Sequence, residues 1–169
     1  MKPTLDLDNY LPYLVNRVGT IIAEQFGAEA LAPYRLSIAM WRVMAVLASR
    51  GGQRQIDLAD LTSIDVSTLS RLVTRLVAMG VVSRARSANS TREVVVKLTA
   101  KGKAQVARLV PIARDYETAA IAGVRPEEVA IVKSSLRRVF ANMKKRQQSA
   151  NAPRRPPKRS GVRRAEAAE

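Results

Sequence analysis

The sequence predicts a mainly α-helical chain that carries one small β-hairpin. Apolar residues recur every three or four positions through most of its 169 residues, which is the period of helices that bury one face. Just beyond Gly80 the apolar period changes to two, which is the period of a strand. Because 47% of the residues are hydrophobic, the chain can build a core, and disorder throughout is not expected.

Two helices are predicted before residue 53. The first covers about residues 10–30 and ends at Pro33, while Ser37 can cap the second and Gly51 with Gly52 can end it. The first helix carries a long apolar stripe, which must pack against a partner surface. The members of this stripe are Leu11, Leu14, Val15, Val18, Ile21, Ile22 and Phe26.

A short helix over about residues 55–61, a tight turn over residues 62–65 and a longer helix follow. Asp65 is the predicted N-cap of the longer helix, because a carboxylate accepts hydrogen bonds from the free amides there and favours the positive end of the helix dipole. Gly80 can adopt the left-handed conformation that ends this helix. The face opposite to its apolar stripe carries Ser67, Thr68, Ser70, Arg71, Thr74 and Arg75.

The β-hairpin is predicted from strands at residues 81–84 and 93–98, joined by a polar and basic loop at residues 85–92. Thr99 can cap a helix that runs to about residue 121. Pro126, followed by two glutamates, can begin a last helix, which the basic cluster of Lys144, Lys145 and Arg146 is predicted to close.

Positive charge is concentrated in two parts of the chain. The whole sequence has 29 Lys and Arg against 14 Asp and Glu, for a net charge of +15. Residues 35–110 hold 13 of the bases and four of the acids, and residues 144–169 hold nine bases and two acids. A polyanionic partner is therefore predicted, with nucleic acid as the first candidate and an acidic membrane surface as the second.

Composition excludes several classes of chemistry. The chain has no cysteine and no histidine, so it has no disulfide, no thiolate nucleophile and no histidine general base. Glu127 and Glu128 are explained by the start of a helix, and no glycine-rich phosphate loop is present. Enzymatic activity, a cofactor and a metal site are therefore not expected. The apolar runs are far shorter than the ~20 residues of a membrane span and no secretory signal is indicated, so a cytoplasmic protein is expected.

The predicted short helix, turn, longer helix and hairpin together form a winged helix-turn-helix. An α-helix fits the major groove of B-DNA, where hydroxyl and guanidinium groups can contact base edges and phosphates. An arginine at a hairpin tip can enter the minor groove, and Arg86 and Arg92 lie in the predicted loop. The alternative interpretations are a solvated helix face for Arg71 and Arg75, and a loop that is polar only for solubility for Arg86 and Arg92.

Four segments resemble the MarR family of bacterial transcription regulators. They are Trp41-Arg42-Val43, residues 55–59 (QIDLA), residues 67–84 (STLSRLVTRLVAMGVVSR) and residues 96–102 (VKLTAKG). The resemblance covers about residues 10–145. It implies an obligate homodimer with interlaced terminal helices, and a small anionic or phenolic ligand that weakens binding to a pseudo-palindromic operator.

The resemblance also implies DNA contacts. Ser67, Thr68, Ser70 and Arg71 match the DNA-facing start of the recognition helix, and Arg75 matches a phosphate-contacting position. Arg92 matches the wing arginine of an Asp-x-Arg motif, but Ser90 stands at the acidic position, so the salt bridge that usually shapes the wing tip is missing. Without Cys and His, the peroxide-sensing and zinc-sensing branches of the family are excluded.

The resemblance and the composition together divide the chain into four segments with different predicted roles. Residues 1–34 would form an N-terminal dimerisation helix and residues 35–100 the DNA-binding module. Residues 101–147 would form the C-terminal dimerisation helices. Residues 148–169 are predicted to be a basic disordered tail.

Arginines beside aromatic side chains are the candidates for a ligand site. Arg17 lies within the apolar stripe of the first helix, and Arg35 and Arg42 bracket the start of the second. A guanidinium beside an aromatic ring can hold a carboxylate or a phosphate. The alternative is that these arginines form ion pairs between subunits, with Asp6, Asp8 or Glu24. The candidate ligand-binding set is Arg17, Tyr13, Arg35, Met40, Trp41 and Arg42.

Two functions are predicted. The first is a DNA-binding transcriptional regulator of the bacterial nucleoid, acting as a homodimeric repressor that a small aromatic acid, phenol or aromatic acyl-CoA thioester releases from a palindromic operator. A role in the catabolism of aromatic compounds goes with it. The second is an architectural DNA-binding protein without ligand control, which the net charge of +15 favours.

Overall fold

Across residues 4–87 and 90–151, whose backbone the computed structural model describes, the chain forms six α-helices and three β-strands. Side chains are described for the same residues except 86, 87, 90–93 and 151. The helices are α1 (Leu11–Phe26), α2 (Ile38–Arg50), α3 (Gln55–Thr62), α4 (Val66–Ala78), α5 (Ala100–Ala120) and α6 (Pro126–Asn151). The strands are β1 (Gln53–Arg54), β2 (Val82–Ser87) and β3 (Ser90–Leu98). A π-helical turn, Gly27–Leu31, and a 3-10 turn, Ala32–Tyr34, extend α1 toward α2.

Three predicted N-caps are confirmed. The Ser37 hydroxyl accepts a hydrogen bond from the amide of Met40 at 3.3 Å, and the Thr99 hydroxyl accepts one from Gly102 at 3.1 Å. Asp65 caps α4 in the same way, as described below. At the other end of α4, Gly80 has φ +70°, the left-handed conformation in which a residue without a Cβ carries no steric penalty. Local sequence signals therefore set the boundaries of α2, α4 and α5.

The strands form a three-stranded antiparallel sheet in the order β1, β3, β2. In the hairpin Val82 pairs with Leu98 and Arg84 with Val96, while Gln53 of β1 pairs with Val96 from the other side. Two details of the predicted hairpin were wrong. A third strand joins it, and most of the predicted loop at residues 85–92 continues the two strands, because β2 reaches Ser87 and β3 begins at Ser90. Residues 88 and 89 lie outside the described part of the chain.

The core joins the helix-turn-helix to the neighbouring helices. It is built from α2, α3, α4, the sheet and the first half of α5, and it includes Phe26, Leu31 and Met40 from the segments before and within α2. Its largest fully buried side chains are Leu31, Met40, Met44, Leu58, Leu69, Leu76 and Leu109. The recognition-helix candidate α4 is therefore fixed on its inner side by Leu69, Val73 and Leu76.

The first turn of α5 is attached directly to the segment that follows α4. Thr99 donates its amide to the carbonyl of Val81 at 3.1 Å and its hydroxyl to the carbonyl of Gly80 at 2.8 Å. Lys101 Nζ donates to the carbonyl of Met79 at 2.9 Å. Gly102 packs so closely that a Cβ there would lie 2.0 Å from the carbonyl oxygen of Val81. These contacts, which we call the α4–α5 joint, hold the end of α4 and the start of α5 together.

The chain divides into two units, Met1–Ala122 and Gly123–Glu169, and α6 is the helix of the second. The basic cluster that ends at Arg146 does not close α6, which continues to Asn151, past the predicted boundary at 147/148. Lys, Arg and Gln are good helix formers, so the basic segment extends the helix. The predicted disordered tail lies outside the described residues from residue 152 onward.

Most of the large apolar side chains that are exposed lie on two helices, α1 and α6. On α1 these are Leu11, Leu14, Val15, Val18 and Ile21, and on α6 they are Ile131, Val132, Leu136, Val139, Phe140 and Met143. Among the described residues no single helix is long and apolar enough to cross a membrane. The segments Leu11–Tyr34 and Ile38–Arg50 reach that length and apolar composition only when they are taken together, and the chain bends by 77° between them.

Candidate nucleic-acid interface

The turn between α3 and α4 sets the orientation of the candidate recognition helix. Ser63, the residue that follows α3, has a left-handed conformation, φ 54°, and the chain then reaches the N-cap Asp65. One carboxylate oxygen of Asp65 accepts hydrogen bonds from the Ser67 hydroxyl at 2.7 Å and from the amide of Thr68 at 2.8 Å. These hydrogen bonds, that of Ser67 first, hold the pKa of Asp65 well below its ordinary value. A carboxylate thus remains charged at the start of the helix.

The outer face of α4 carries the six polar residues that the sequence singled out. Ser67, Arg71, Thr74 and Arg75 are exposed, while Thr68 and Ser70 are half-buried. Arg71 donates a long hydrogen bond, 3.4 Å, to the Thr68 hydroxyl. The structure therefore brings hydroxyl and guanidinium groups together on one exposed face, which is the chemistry that base edges and phosphates accept.

Arg84 of β2 adds a cation to this surface that sequence reasoning did not select. Its Nη2 donates to the Thr74 hydroxyl of α4 at 2.9 Å, and that hydroxyl in turn donates to the carbonyl of Ser70 at 3.0 Å. The wing strand is thus connected to the middle of the recognition-helix candidate. The only sequence signal for this contact was the position of Arg84 in a predicted strand next to the helix, because the pair is ten residues apart along the chain.

Arg86 and Arg92 lie in strands of the hairpin and not in a loop. Arg86 belongs to β2, where it pairs with Val94, and Arg92 belongs to β3. Their side chains lie outside the described part of the structure, as does that of Ser90. The role of both arginines in the minor groove stays a prediction.

Removing the charge of Asp65 is expected to change how stability depends on pH. Because the pKa of Asp65 is lower in the folded than in the unfolded protein, its contribution is present above the ordinary carboxyl pKa and is lost as pH falls below about 4. Asp65→Asn keeps a hydrogen-bond acceptor at the cap but cannot titrate. Urea unfolding between pH 3 and pH 7 should therefore give a flatter profile for Asp65→Asn than for the wild type. Equal slopes for the two proteins would contradict the expected titration.

The six candidate ligand residues fall in separate places. The Arg17 guanidinium lies over the ring of Tyr13, 5.7 Å from its centroid, within α1. Met40 is 1% exposed and belongs to the core, so it offers no surface to a ligand in this structure. Arg42 donates a hydrogen bond to the carbonyl of Thr62 at 3.4 Å. Arg35 lines a cleft that none of the other five candidate residues lines. Within the described residues none of these arginines pairs with Asp6, Asp8 or Glu24.

Trp41 belongs to a row of aromatic rings that links α2, α1 and α5. Phe26 contacts Trp41 edge-on at 5.7 Å between ring centroids and Tyr116 at 5.4 Å. The Tyr116 hydroxyl donates a hydrogen bond to Glu29, which raises the pKa of Tyr116. Aromatic pairs of this geometry stabilise packing beyond the area that they bury. In the structure Trp41 therefore connects the DNA-binding module to the helices on either side of it. Across residues 4–87 and 90–151 no three His, Cys, Asp or Glu residues cluster as a metal site would need.

Comparison with known proteins agrees with this architecture. Residues 36–94 match the sequence model of the MarR family. The multiple antibiotic resistance protein MarR of Escherichia coli is 28% identical, over 83% of this chain and 99% of that protein. A MarR-family transcriptional regulator from Silicibacter pomeroyi is 31% identical, with a TM-score of 0.72 over 83% of this chain and 96% of its own.

Two further solved structures are of proteins that bind operator DNA or whose DNA binding a small molecule regulates. A mutant of Escherichia coli MarR in complex with operator DNA has a TM-score of 0.68 and 26% identity, over 76% of this chain and 92% of its own. Bordetella bronchiseptica BpsR, whose DNA binding is regulated by 6-hydroxynicotinic acid, has a TM-score of 0.68 and 25% identity, over 77% of this chain and 98% of its own. With the three-stranded wing, the capped helix α4 and 31% identity to a family member over nearly its whole length, the chain belongs to the MarR family of transcription regulators.

Proposed function

We propose that this regulator is a homodimeric, sequence-specific repressor that a small organic anion releases from a palindromic operator. The observation that carries the proposal is the exposed face of α4, where Ser67, Arg71, Thr74 and Arg75 lie opposite a fully packed inner face. A helix of this kind enters the major groove and presents its polar face to base edges. The operator complex of the Escherichia coli relative supports the same use of the module.

Dimer formation is supported by the apolar side chains that α1 and α6 leave exposed. Phe140 and Met143 of α6 are 54% and 57% exposed, and Val18 of α1 is 57% exposed. Apolar side chains in such number along a helix face are characteristic of an interface between subunits. In a dimer two copies of α4 address two half-sites about one helical turn, ~10 bp, apart.

Ligand control is supported by a relative and by the joint between α4 and α5. BpsR responds to 6-hydroxynicotinic acid, an aromatic carboxylate. A ligand that binds more tightly to a dimer with misplaced recognition helices shifts the population away from the form that binds DNA. Attachment of α5 to the end of α4 offers a direct route for such a shift. Intersubunit ion pairs of Arg17, Arg35 or Arg42 stay the alternative role for those side chains.

Arg71→Ala and Arg84→Ala are expected to weaken operator binding without changing the fold. If Arg71 contacts a base edge, its loss should cost about 1–3 kcal/mol and relax sequence preference at one position. If Arg84 contacts a phosphate, its loss should weaken binding to all sequences and reduce the salt dependence by about one counterion. Fluorescence anisotropy at several salt concentrations, with a site selected from random-sequence DNA, measures both effects.

Arg114→Ala is the matched control, because Arg114 is an exposed arginine of α5 far along the chain from the module. It should leave the affinity for the operator unchanged. Unchanged affinity of both Arg71→Ala and Arg84→Ala would overturn the proposed interface. A protein that protects no discrete site in footprinting, and that binds all sequences equally with a steep salt dependence, would instead be the architectural protein that its charge of +15 also permits.

A further inference from the structure

We propose that Val66 and Ser67, the first two residues of α4, are specificity-determining residues that together recognise one A·T base pair in the major groove. The inference rests on the proposed function and deepens it, because it names the base pair that one end of the recognition helix selects. In a helix-turn-helix the N-terminal residues of the recognition helix contact the base edges. At that place α4 carries an apolar side chain followed by a hydroxyl group.

Val66 is an apolar side chain that the core does not use. It is 52% exposed, and within α4, every residue of which the structure describes, no other large apolar side chain is as open to solvent. The inner face of α4 is filled by Leu69, Val73 and Leu76 instead. Because valine is branched at Cβ, its side chain is stiff and holds its methyl groups in one position on the helix. In the major groove the C5-methyl group of thymine is the group that an apolar side chain can contact.

The hydroxyl hydrogen of Ser67 is already used within the protein. Ser67 Oγ lies 2.7 Å from Oδ1 of Asp65. Because hydrogen bonds hold the pKa of Asp65 well below its ordinary value, that side chain is a carboxylate, which has no hydrogen to donate, and the hydroxyl is the donor of the pair. The lone pairs of Ser67 Oγ are what remains for DNA, and they can only accept. Ser67 therefore selects a base that donates, through the amino group of adenine or of cytosine.

The charge of Asp65 reinforces this choice. A carboxylate beside Ser67 attracts an amino group and repels an acceptor such as O6 of guanine. Asp65 is held in place by the hydrogen bonds from the Ser67 hydroxyl and from the amide of Thr68 at 2.8 Å. Cations appear only further along α4, with Arg71 and Arg75. The start of α4 thus presents acceptors to DNA, and its middle presents donors.

An A·T pair is the base pair that satisfies both residues. Its major-groove edge carries the methyl group of thymine as well as the amino group of adenine. A G·C pair carries the amino group of cytosine but no methyl group, so it would satisfy Ser67 and leave Val66 without its contact. We therefore expect A·T, and not G·C, at the base pair that faces the start of α4 in each half-site.

Fluorescence anisotropy of the full-length protein, with a site selected from random-sequence DNA, tests the inference. Each thymine of the site is replaced in turn by deoxyuridine, which lacks only the methyl group. Each adenine is replaced in turn by a purine nucleotide that lacks only the amino group. At one A·T pair of each half-site, we expect either replacement to weaken wild-type binding by about 4-fold, which is the effect of one buried methyl group or one hydrogen bond.

The variants Val66→Ala and Ser67→Ala serve as controls for each other. Val66→Ala should bind the thymine and deoxyuridine sites equally and keep its response to the missing amino group. Ser67→Ala should do the reverse, and it also measures any effect that the altered adenine has on base pairing itself. Both side chains are exposed, and Asp65 still accepts the amide of Thr68 in Ser67→Ala, so thermal unfolding should find both variants folded.

Three results would overturn the inference. The first is that no thymine methyl group loses its effect in Val66→Ala, and the second is that no adenine amino group loses its effect in Ser67→Ala. The third is that the two effects fall on different base pairs. In each of these cases the protein still binds its selected site, so the proposed repressor function stands. A selection that yields no discrete site would instead end that function, and this inference with it.

Discussion

Replacing Gly102 with alanine is expected to lower the free energy of unfolding by about 2 kcal/mol or more. The new Cβ would lie 2.0 Å from the carbonyl oxygen of Val81, and both atoms are attached to backbone that hydrogen bonds hold in place. The carbonyl of Val81 accepts the amide of Thr99, and the amide of Gly102 donates to the Thr99 hydroxyl. Relief of the clash therefore breaks or stretches the joint between α5 and the end of α4. The gain of about 1 kcal/mol in helix propensity is too small to offset this.

Urea unfolding at one fixed protein concentration measures the effect, since the stability of the proposed dimer would depend on concentration. Gly27→Ala is the control, because Gly27 has helical dihedral angles and its added Cβ would contact only Ile38, at 4.0 Å. It should leave stability unchanged or raise it by about 0.5–1 kcal/mol. Equal midpoints for Gly102→Ala and Gly27→Ala would show that the α4–α5 joint is not tightly packed.

The parts of the fold that the sequence predicts are those set by neighbouring residues. Ser37, Asp65 and Thr99 act on amides within three residues of themselves, and Gly80 ends the helix in which it stands. Such signals are local, so they can be recognised without knowing the rest of the molecule. The same holds for the apolar stripes, because each helix has only one face that can be buried.

The parts that the sequence misses depend on contacts between distant segments. β1 has only two residues and exists because Gln53 and Arg54 pair with β3 some forty positions away. The extension of β2 and β3 into the predicted loop likewise results from strand pairing, which a polar composition did not indicate. In the candidate nucleic-acid interface, Arg84 matters through its hydrogen bond to Thr74. That contact cannot be derived from residue type and spacing alone.

Placing a charge on the apolar face of α6 is expected to separate the proposed dimer and to abolish tight operator binding. In Phe140→Asp a carboxylate would replace an aromatic ring on the stripe of Val132, Leu136 and Val139. A charge buried without a partner in a subunit interface is strongly unfavourable. Light scattering should therefore detect a monomer for Phe140→Asp at concentrations where the wild type is a dimer. The affinity for a two-half-site operator should fall by about 100-fold or more, because one module binds where two had bound together.

The adjacent residue provides the matched control. Ala141 is exposed and lies about 100° further around the helix, away from the centre of the apolar stripe. Ala141→Asp introduces the same charge one position along the chain and should keep both the dimer and the operator affinity. If Phe140→Asp remains dimeric, the apolar face of α6 does not form the interface. If it becomes monomeric and still binds the operator at wild-type affinity, the palindromic, two-module recognition is wrong while the module itself still binds DNA. Phe140 is not part of the α4 surface. The two variants thus separate the contribution that dimerisation makes to operator affinity from the contribution of the α4 surface.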